Sequence, residues 1–231
     1  MRPMTLTLRV LARLLSYPDA QARRHLADMC DALHGEHALD AGRLAELEAL
    51  IARLRSAGGV DTEAAYVELF DRGRGTALHL FEHVHGDSRD RGQAMVDLIK
   101  TYEQAGLYLS QGELPDHLAV VLEYASTQPP EQAREFLREI AHILQVIFSA
   151  LLRRESAYAS VLAAVLDLAG EKAQAVALPE EPILDEAWEE PPAFDGCSVQ
   201  GQARPGQPQP IQIVKRTKAL GVGQFQQGVH P

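Results

Sequence analysis

Cysteine is scarce: Cys30 and Cys197 are the only two in 231 residues, far apart and in no disulfide or metal-ligand spacing. That excludes a disulfide-stapled scaffold and suits a reducing compartment. Positive charge is also in deficit, 22 Lys and Arg against 32 Asp and Glu, which leaves a formal charge of -10. Nucleic-acid binding, which needs basic stripes, and adhesion to an anionic membrane surface are both disfavoured. A basic partner is the natural complement. Long apolar runs are missing as well. Arg9 and Arg13 interrupt the first fifteen residues, so no signal-peptide core is expected, and no run approaches the ~20 apolar residues of a membrane helix. The Arg23-Arg24 pair precedes no apolar run and is not read as an export signal. A soluble, cytoplasmic protein is expected.

Strand-type alternation is nearly absent, and apolar residues instead recur at i, i+3, i+4 and i+7 from Thr5 to about Gly170. The expectation is an all-α fold: a single helical-bundle domain over residues 1–170, with about eight or nine helices. Helices are predicted at about 5–15 and 19–34, then at 41–56 with the stripe Leu44, Leu47, Leu50, Ile51 and Leu54. Asp61 is predicted to cap a helix carrying Tyr66, Leu69 and Phe70. Asp87 or Ser88 is predicted to cap the next, with the stripe Met95, Leu98, Ile99 and Tyr102. Glu113 to His117 reads as a helix start with Pro115 in the first turn. The longest helix, about 131–152, carries Phe136, Ile140, Leu144, Ile147, Phe148 and Leu151 and is expected at the centre of the bundle. A last helix spans about 156–170.

Eight of the thirteen prolines follow residue 171, so residues 171–231 are expected to form a mostly disordered tail. Residues 180–195 hold seven acids and no base, and residues 196–231 four bases and no acid. Ile183, Leu184, Ala187 and Trp188 would share one face of a short helix, a docking candidate.

The densest chemistry lies in Tyr66 to Gly92, with three histidines, four arginines and five acids. His79-Leu80-Phe81-Glu82-His83 matches H-x-x-E-H, in which two histidines one turn apart bind zinc and the glutamate acts as base. On a helical wheel the same residues form one polar side opposite Leu80, Phe81 and Val84, which a solvated face explains without metal. Asp71-Arg72-Gly73-Arg74-Gly75-Thr76 could cradle an anion, but it lacks the preceding strand and the lysine of a phosphate loop. Arg91 falls on the apolar side of its helix and needs a carboxylate, with Asp71 and Glu82 as candidates. Asp116 and Glu123 lie seven residues apart, as do His117 and Tyr124. Capping and surface charge would account for these pairs, and on one helix, beside an apolar seam, they would also suit gripping an amphipathic peptide.

Four runs carry a resemblance. They are Tyr66-x-x-Leu69-Phe70-Asp71-Arg72-Gly73-Arg74; Leu80-Phe81-Glu82-His83-Val84-His85-Gly86; Ser88-Arg89-Asp90-Arg91-Gly92-Gln93-Ala94-Met95; and Glu113-Leu114-Pro115-Asp116-His117 with Leu122-Glu123-Tyr124. Together they resemble the delta subunit of respiratory nitrate reductase, and the last looks like the E-x-x-D-H signature of chaperones for molybdoenzymes. The resemblance implies an all-helical, non-catalytic assembly chaperone with no cofactor of its own. Its implied partner is the apo catalytic subunit with its basic N-terminal leader remnant, kept competent for insertion of the molybdenum cofactor and an iron–sulfur cluster. Cofactor-delivery proteins are further candidate partners; direct membrane insertion is not implied. The candidate partner-binding residues are Tyr66, Phe70, Asp71, Glu82, His83, His85, Asp87, Arg89, Arg91, Asp116, His117, Glu123 and Tyr124. His79 lies outside the family run, which weakens the zinc motif. The rival readings are a zinc peptidase and a permanent structural adaptor.

Overall fold

Helix-period stripes become helices nearly everywhere, and the computed structural model describes residues 3–84 and 90–178. Contacts divide the chain into Met1–Glu181 and Pro182–Pro231, and every described element belongs to the first unit. Among the described residues there are eleven α-helices, one isolated β-bridge and no strand. They are α1 (Thr5–Leu14), α2 (Ala20–Arg24), α3 (Leu26–Glu36), α4 (Ala41–Ser56), α5 (Gly59–Tyr66), α6 (Leu80–Val84), α7 (Asp90–Gln104), α8 (Leu118–Thr127), α9 (Pro130–Glu139), α10 (Ala141–Arg153) and α11 (Ala159–Ala169). A π-helical turn (Val67–Asp71) and a 3-10 turn (Arg74–Thr76) join α5 to α6. No described helix is long and apolar enough to cross a membrane.

The helix count exceeds the eight or nine expected because two predicted helices break. His25 (φ -96°, ψ 6°) separates α2 from α3, and Ile140 (φ -94°, ψ 1°) separates α9 from α10. Neither break contains proline or glycine, and Leu137 and Leu144 stay in phase across Ile140, so periodicity alone reads one helix. Side-chain caps fix other ends: Asp19 accepts from the Ala22 N–H (2.6 Å) and Asp40 from the Arg43 N–H (2.8 Å). Gly58, not Asp61, is the N-cap of α5, and Asp61 sits in its first turn. Gly170 ends α11 in the left-handed conformation (φ +83°), which glycine adopts without a Cβ penalty.

The centre of the bundle is α11 rather than the 131–152 region. Val161, Leu162, Ala163, Ala164, Val165 and Leu166 are all buried, and α1, α4, α9 and α10 pack around them. Its alanines let neighbours approach closely, but they contribute little to an apolar stripe, which is why the sequence points to the larger side chains of α10. An Arg43–Asp167 ion pair (2.7 Å) ties α4 to α11. Residues 171–178 run beside α10, where Gln145 donates to the Lys172 carbonyl (2.6 Å) and accepts from the Gln174 N–H (3.0 Å). Ser149 Oγ accepts from the Val176 N–H (2.9 Å). The docking candidate Ile183, Leu184, Ala187 and Trp188, with Cys197, lies outside the described residues.

Candidate functional site

Within the Tyr66 to Gly92 stretch, Tyr66, Phe70, Gly73, Thr76, Ala77, Leu78 and Leu80 are buried. Tyr66 is buried, and its hydroxyl donates to the Leu15 carbonyl (2.7 Å), linking α5 to the end of α1. Its ring contacts Phe70 (centroids 4.8 Å), Tyr17 (5.7 Å) and Tyr158 (6.4 Å). Burial raises the Tyr66 phenol above its ordinary range. Tyr66 and Phe70 are therefore core residues, not an open partner surface. The glycine-rich turn is filled from within, because the Thr76 hydroxyl contacts the Leu69 and Gly73 carbonyls. Arg72 pairs with Glu68 (2.9 Å), and only a three-residue 3-10 turn follows, so no anion cradle forms. Asp71 is exposed.

The two motif stretches meet in an antiparallel bridge. Leu80 N–H donates to the Asp116 carbonyl (3.0 Å) and Leu118 N–H to the Leu78 carbonyl (2.8 Å), setting His79 opposite His117 with ring centroids 5.1 Å apart. Asp116 is fully buried. Its carboxylate accepts from the Phe81 N–H (3.2 Å), faces His79 Nδ1 (3.4 Å) and lies 3.9 Å from Arg91 Nη2. Arg91 also reaches Glu82 (3.4 Å), so Glu82 fulfils the expected pairing, Asp71 does not, and Asp116 joins it. The expected shared helix face of Asp116 and Glu123 is absent, because α8 starts only at Leu118. Pro115 belongs to the preceding turn. Asp116 joins three segments from the inside and presents nothing to a partner.

His117 is the N-cap of α8: its Nδ1 accepts from the Ala119 N–H (3.3 Å), which requires an unprotonated nitrogen. Consistently, burial first and His79 second lower its pKa. The hydrogen bond to Asp116, against desolvation, raises that of His79 above 6.5. Stability from a group with raised folded pKa is fully present below its unfolded value and disappears as pH rises through the folded one. His79→Gln should thus lower the urea midpoint more at about pH 6 than at about pH 8.5; equal losses at both would dismiss the charged pair. His117 contributes with the opposite sign, so the difference between variant and parent is the quantity to follow.

The H-x-x-E-H geometry does not form. His79 precedes α6, and His83 Nε2 instead donates to the Ala77 carbonyl (2.9 Å). Among the described residues no group of three or more His, Cys, Asp or Glu is placed to hold a metal. His85, Asp87, Arg89 and the predicted Asp87/Ser88 cap lie outside the described residues.

Glu123 and Tyr124 remain, and they line a groove of about 470 Å³ with residues from α1, α7 and the 105–117 connection. The Tyr102 hydroxyl donates to the buried Pro115 carbonyl (2.9 Å). Its ring packs on Tyr124 (4.8 Å), which packs on Phe136 (5.1 Å), and Leu107, Leu109 and Val120 extend the apolar wall. Tyr108 stands 80% exposed at the edge. Arg9 and Arg13, one turn apart on α1, and Glu113 with Glu123 supply charge. Arg9 Nε donates to Ser126 Oγ (3.3 Å), Arg13 meets Asp19 (3.5 Å) and Glu113 accepts from the Ser110 N–H (2.9 Å). Glu123 is exposed; partial desolvation, then the like charge of Glu113, raises its pKa, against the opposing pull of Arg13 and Arg9. Sequence reasoning missed Arg9, Arg13, Tyr102 and Tyr108. The i, i+4 arginine pair on an otherwise apolar helix was the one available signal. Two smaller clefts of about 370 and 250 Å³ lie between α4 and the α10–α11 turn.

A crystal structure from Archaeoglobus fulgidus, described as a redox enzyme maturation protein, matches the fold with a TM-score of 0.51 at 20% identity, covering 73% of this chain and 94% of that one. Among curated proteins, NarJ of Escherichia coli (strain K12), a nitrate reductase molybdenum cofactor assembly chaperone, is 44% identical over 196 residues, covering 84% of this chain and 83% of NarJ. The chlorate reductase assembly chaperone protein of Ideonella dechloratans is 30% identical over 119 residues, covering 49% of this chain and 50% of that protein. The family model described as nitrate reductase delta subunit matches residues 36–164, the span that contains the His79–His117 bridge, the Asp116 staple and most of the groove wall. By that match and the identity to NarJ, this chain belongs to the nitrate reductase delta subunit family.

Proposed function

We propose that this chain is a nitrate reductase molybdenum cofactor assembly chaperone that binds the apo catalytic subunit through that subunit's basic N-terminal segment. It keeps the subunit open to insertion of the molybdenum cofactor and an iron–sulfur cluster, acts in the cytoplasm, catalyses nothing itself and leaves once the cargo is in place. Family membership carries this reading. The groove supports it with a concave wall of Tyr102, Tyr124, Leu107, Leu109 and Val120, suited to the apolar face of an amphipathic segment. The chain's formal charge of -10 suits a basic partner.

The test is co-purification with the apo catalytic subunit, followed by cofactor insertion. The chain should bind the apo form with metal chelated and dissociate from the loaded form. Retention in the mature enzyme would make it an adaptor, and no capture of the apo form would overturn the reading. Binding of the isolated N-terminal segment should also weaken with rising salt, because surface charge is screened over about 8–10 Å near physiological ionic strength. Salt-independent affinity measured by titration calorimetry would remove charge steering from the account.

A further inference from the structure

The connection from α7 to α8 carries apolar side chains outward. Leu107, Tyr108 and Leu109 are consecutive and line the groove, yet Tyr108 stands 80% exposed and Leu114, further along, 46%. An apolar run outside the core and beside a concave wall is the kind of surface that binding covers. One residue holds the connection at both ends: the Leu107 N–H donates to the Tyr102 carbonyl (2.9 Å), and the Tyr102 hydroxyl donates to the Pro115 carbonyl (2.9 Å). Between those ties the chain bonds to itself, since the Ser110 N–H donates to the Glu113 carboxylate (2.9 Å) and the Ser110 carbonyl accepts from the Glu113 N–H (3.2 Å). Gly106 (φ +77°) and Gly112 (φ +91°) bracket the exposed part in the left-handed conformation, with open space where a Cβ would stand. The result is an anchored flap at the groove's edge that presents an aromatic ring. By the cleft between α4 and α5, in contrast, the rings of Tyr66, Phe70 and Tyr158 already pack on one another.

Resting on the chaperone reading above, we infer that Tyr108 is the clasp of this groove: the bound amphipathic segment lies between the wall of Tyr102 and Tyr124 and the flap, and the Tyr108 ring packs on the flank that the wall does not reach. The segment recognised is therefore apolar over a broad arc, with one stripe on the wall and a further large apolar residue beside that stripe, under Tyr108. A segment with only the narrow stripe leaves the ring in water. Tyrosine suits this role because it offers a large contact area with few rotatable bonds to order. A contact made after the segment has seated acts on release more than on entry. Tyr108 is then a specificity-determining residue, selecting among basic amphipathic segments by the breadth of their apolar face.

Surface plasmon resonance with the full chain and an immobilised synthetic peptide, copying the N-terminal segment of the apo catalytic subunit, tests this. Tyr108→Ala should weaken binding by about 5–30-fold, mostly through faster release, and Tyr108→Phe should recover most of the loss. The site is exposed, so the melting temperature of both variants should stay within about 2 °C of the parent's, which separates lost contact from lost fold. Replacing the apolar residues of the peptide by serine, one at a time, gives the second readout. For one residue outside the central stripe, the loss with the parent should exceed the loss with Tyr108→Ala by about threefold or more. If Tyr108→Ala releases the peptide as slowly as the parent, or if no peptide position couples to it, the clasp is overturned while the chaperone reading stands. If the parent captures the apo subunit but not this peptide, the clasp has the wrong occupant and is overturned too. If neither is captured, the chaperone reading falls with it.

Discussion

Asp116→Ala should lower the unfolding temperature by roughly 5–15 °C, the largest single-residue effect expected outside the apolar core. The carboxylate is fully buried and accepts from the Phe81 N–H while facing His79 and Arg91. Truncation removes the carboxylate that the half-buried Phe81 N–H donates to and leaves the Arg91 guanidinium, among the described residues, with Glu82. Losing one side of a buried charged contact costs about 3–5 kcal/mol. His79 and Arg91 keep 30% and 25% exposure, so water relieves part of that and about 2–4 kcal/mol remains. For a domain of this size each kcal/mol shifts the midpoint by about 2–4 °C. Asp116→Asn should fall between, since its amide oxygen still accepts from Phe81 while the charge is gone. An unchanged melting curve for the alanine variant would show that the bridge between residues 78–80 and 116–118 holds without its carboxylate.

Gly73→Ala should be the next most costly, and for lack of space rather than for backbone strain. Gly73 has φ -98° and ψ 99°, values open to any residue. A Cβ there would lie 2.8 Å from the Leu69 carbonyl oxygen and 2.7 Å from Arg154 Nη1, and closer still to Thr76 Oγ1. The arginine end can swing away, but the Leu69 carbonyl is main chain within the π-helical turn and Thr76 is buried. Overpacking of this kind costs about 1–3 kcal/mol. Alanine returns about 0.4–1 kcal/mol by stiffening the unfolded chain. The larger cost wins, and the urea midpoint should drop with no change in slope. A midpoint equal to or above the parent's would mean that the 72–76 turn relaxes around the methyl group.

Both residues show where the sequence was legible and where it was not. Helix α4 follows its stripe from residue 41 to 56 as read, and Gly170 ends α11 as a left-handed cap. Those features are local, set by periodicity and by one residue's conformational freedom. Asp116 was misread because its role depends on His79, 37 positions away in sequence, and on a bridge that no local pattern announces. Pro115 favours a helix start but equally suits the turn it occupies, where its carbonyl is taken by Tyr102. The breaks at His25 and Ile140 carry no proline or glycine, so only tertiary packing distinguishes them from continuous helix. Of the candidate residues, Glu123 and Tyr124 line the groove, while Tyr66, Phe70 and Asp116 face inward. Motif resemblance marks residues that matter without separating those that meet a partner from those that hold the frame. Arg9 and Arg13 read only as breaks in an apolar run, because an arginine on a short apolar helix looks like ordinary solvation until α8 is placed beside it.

The distribution of tyrosines gives the molecule two separate optical reporters. Of its six tyrosines, Tyr102, Tyr108 and Tyr124 line the groove, whereas Tyr17, Tyr66 and Tyr158 meet at the far end of α5. With the lone tryptophan replaced, Trp188→Phe, the ultraviolet emission of the chain comes from these two clusters alone. All six emit in one band, so the groove set is read by difference: the emission change on adding a peptide free of tyrosine and tryptophan that is lost in Tyr108→Phe reports occupancy of the groove, and the emission common to both proteins follows the integrity of the fold.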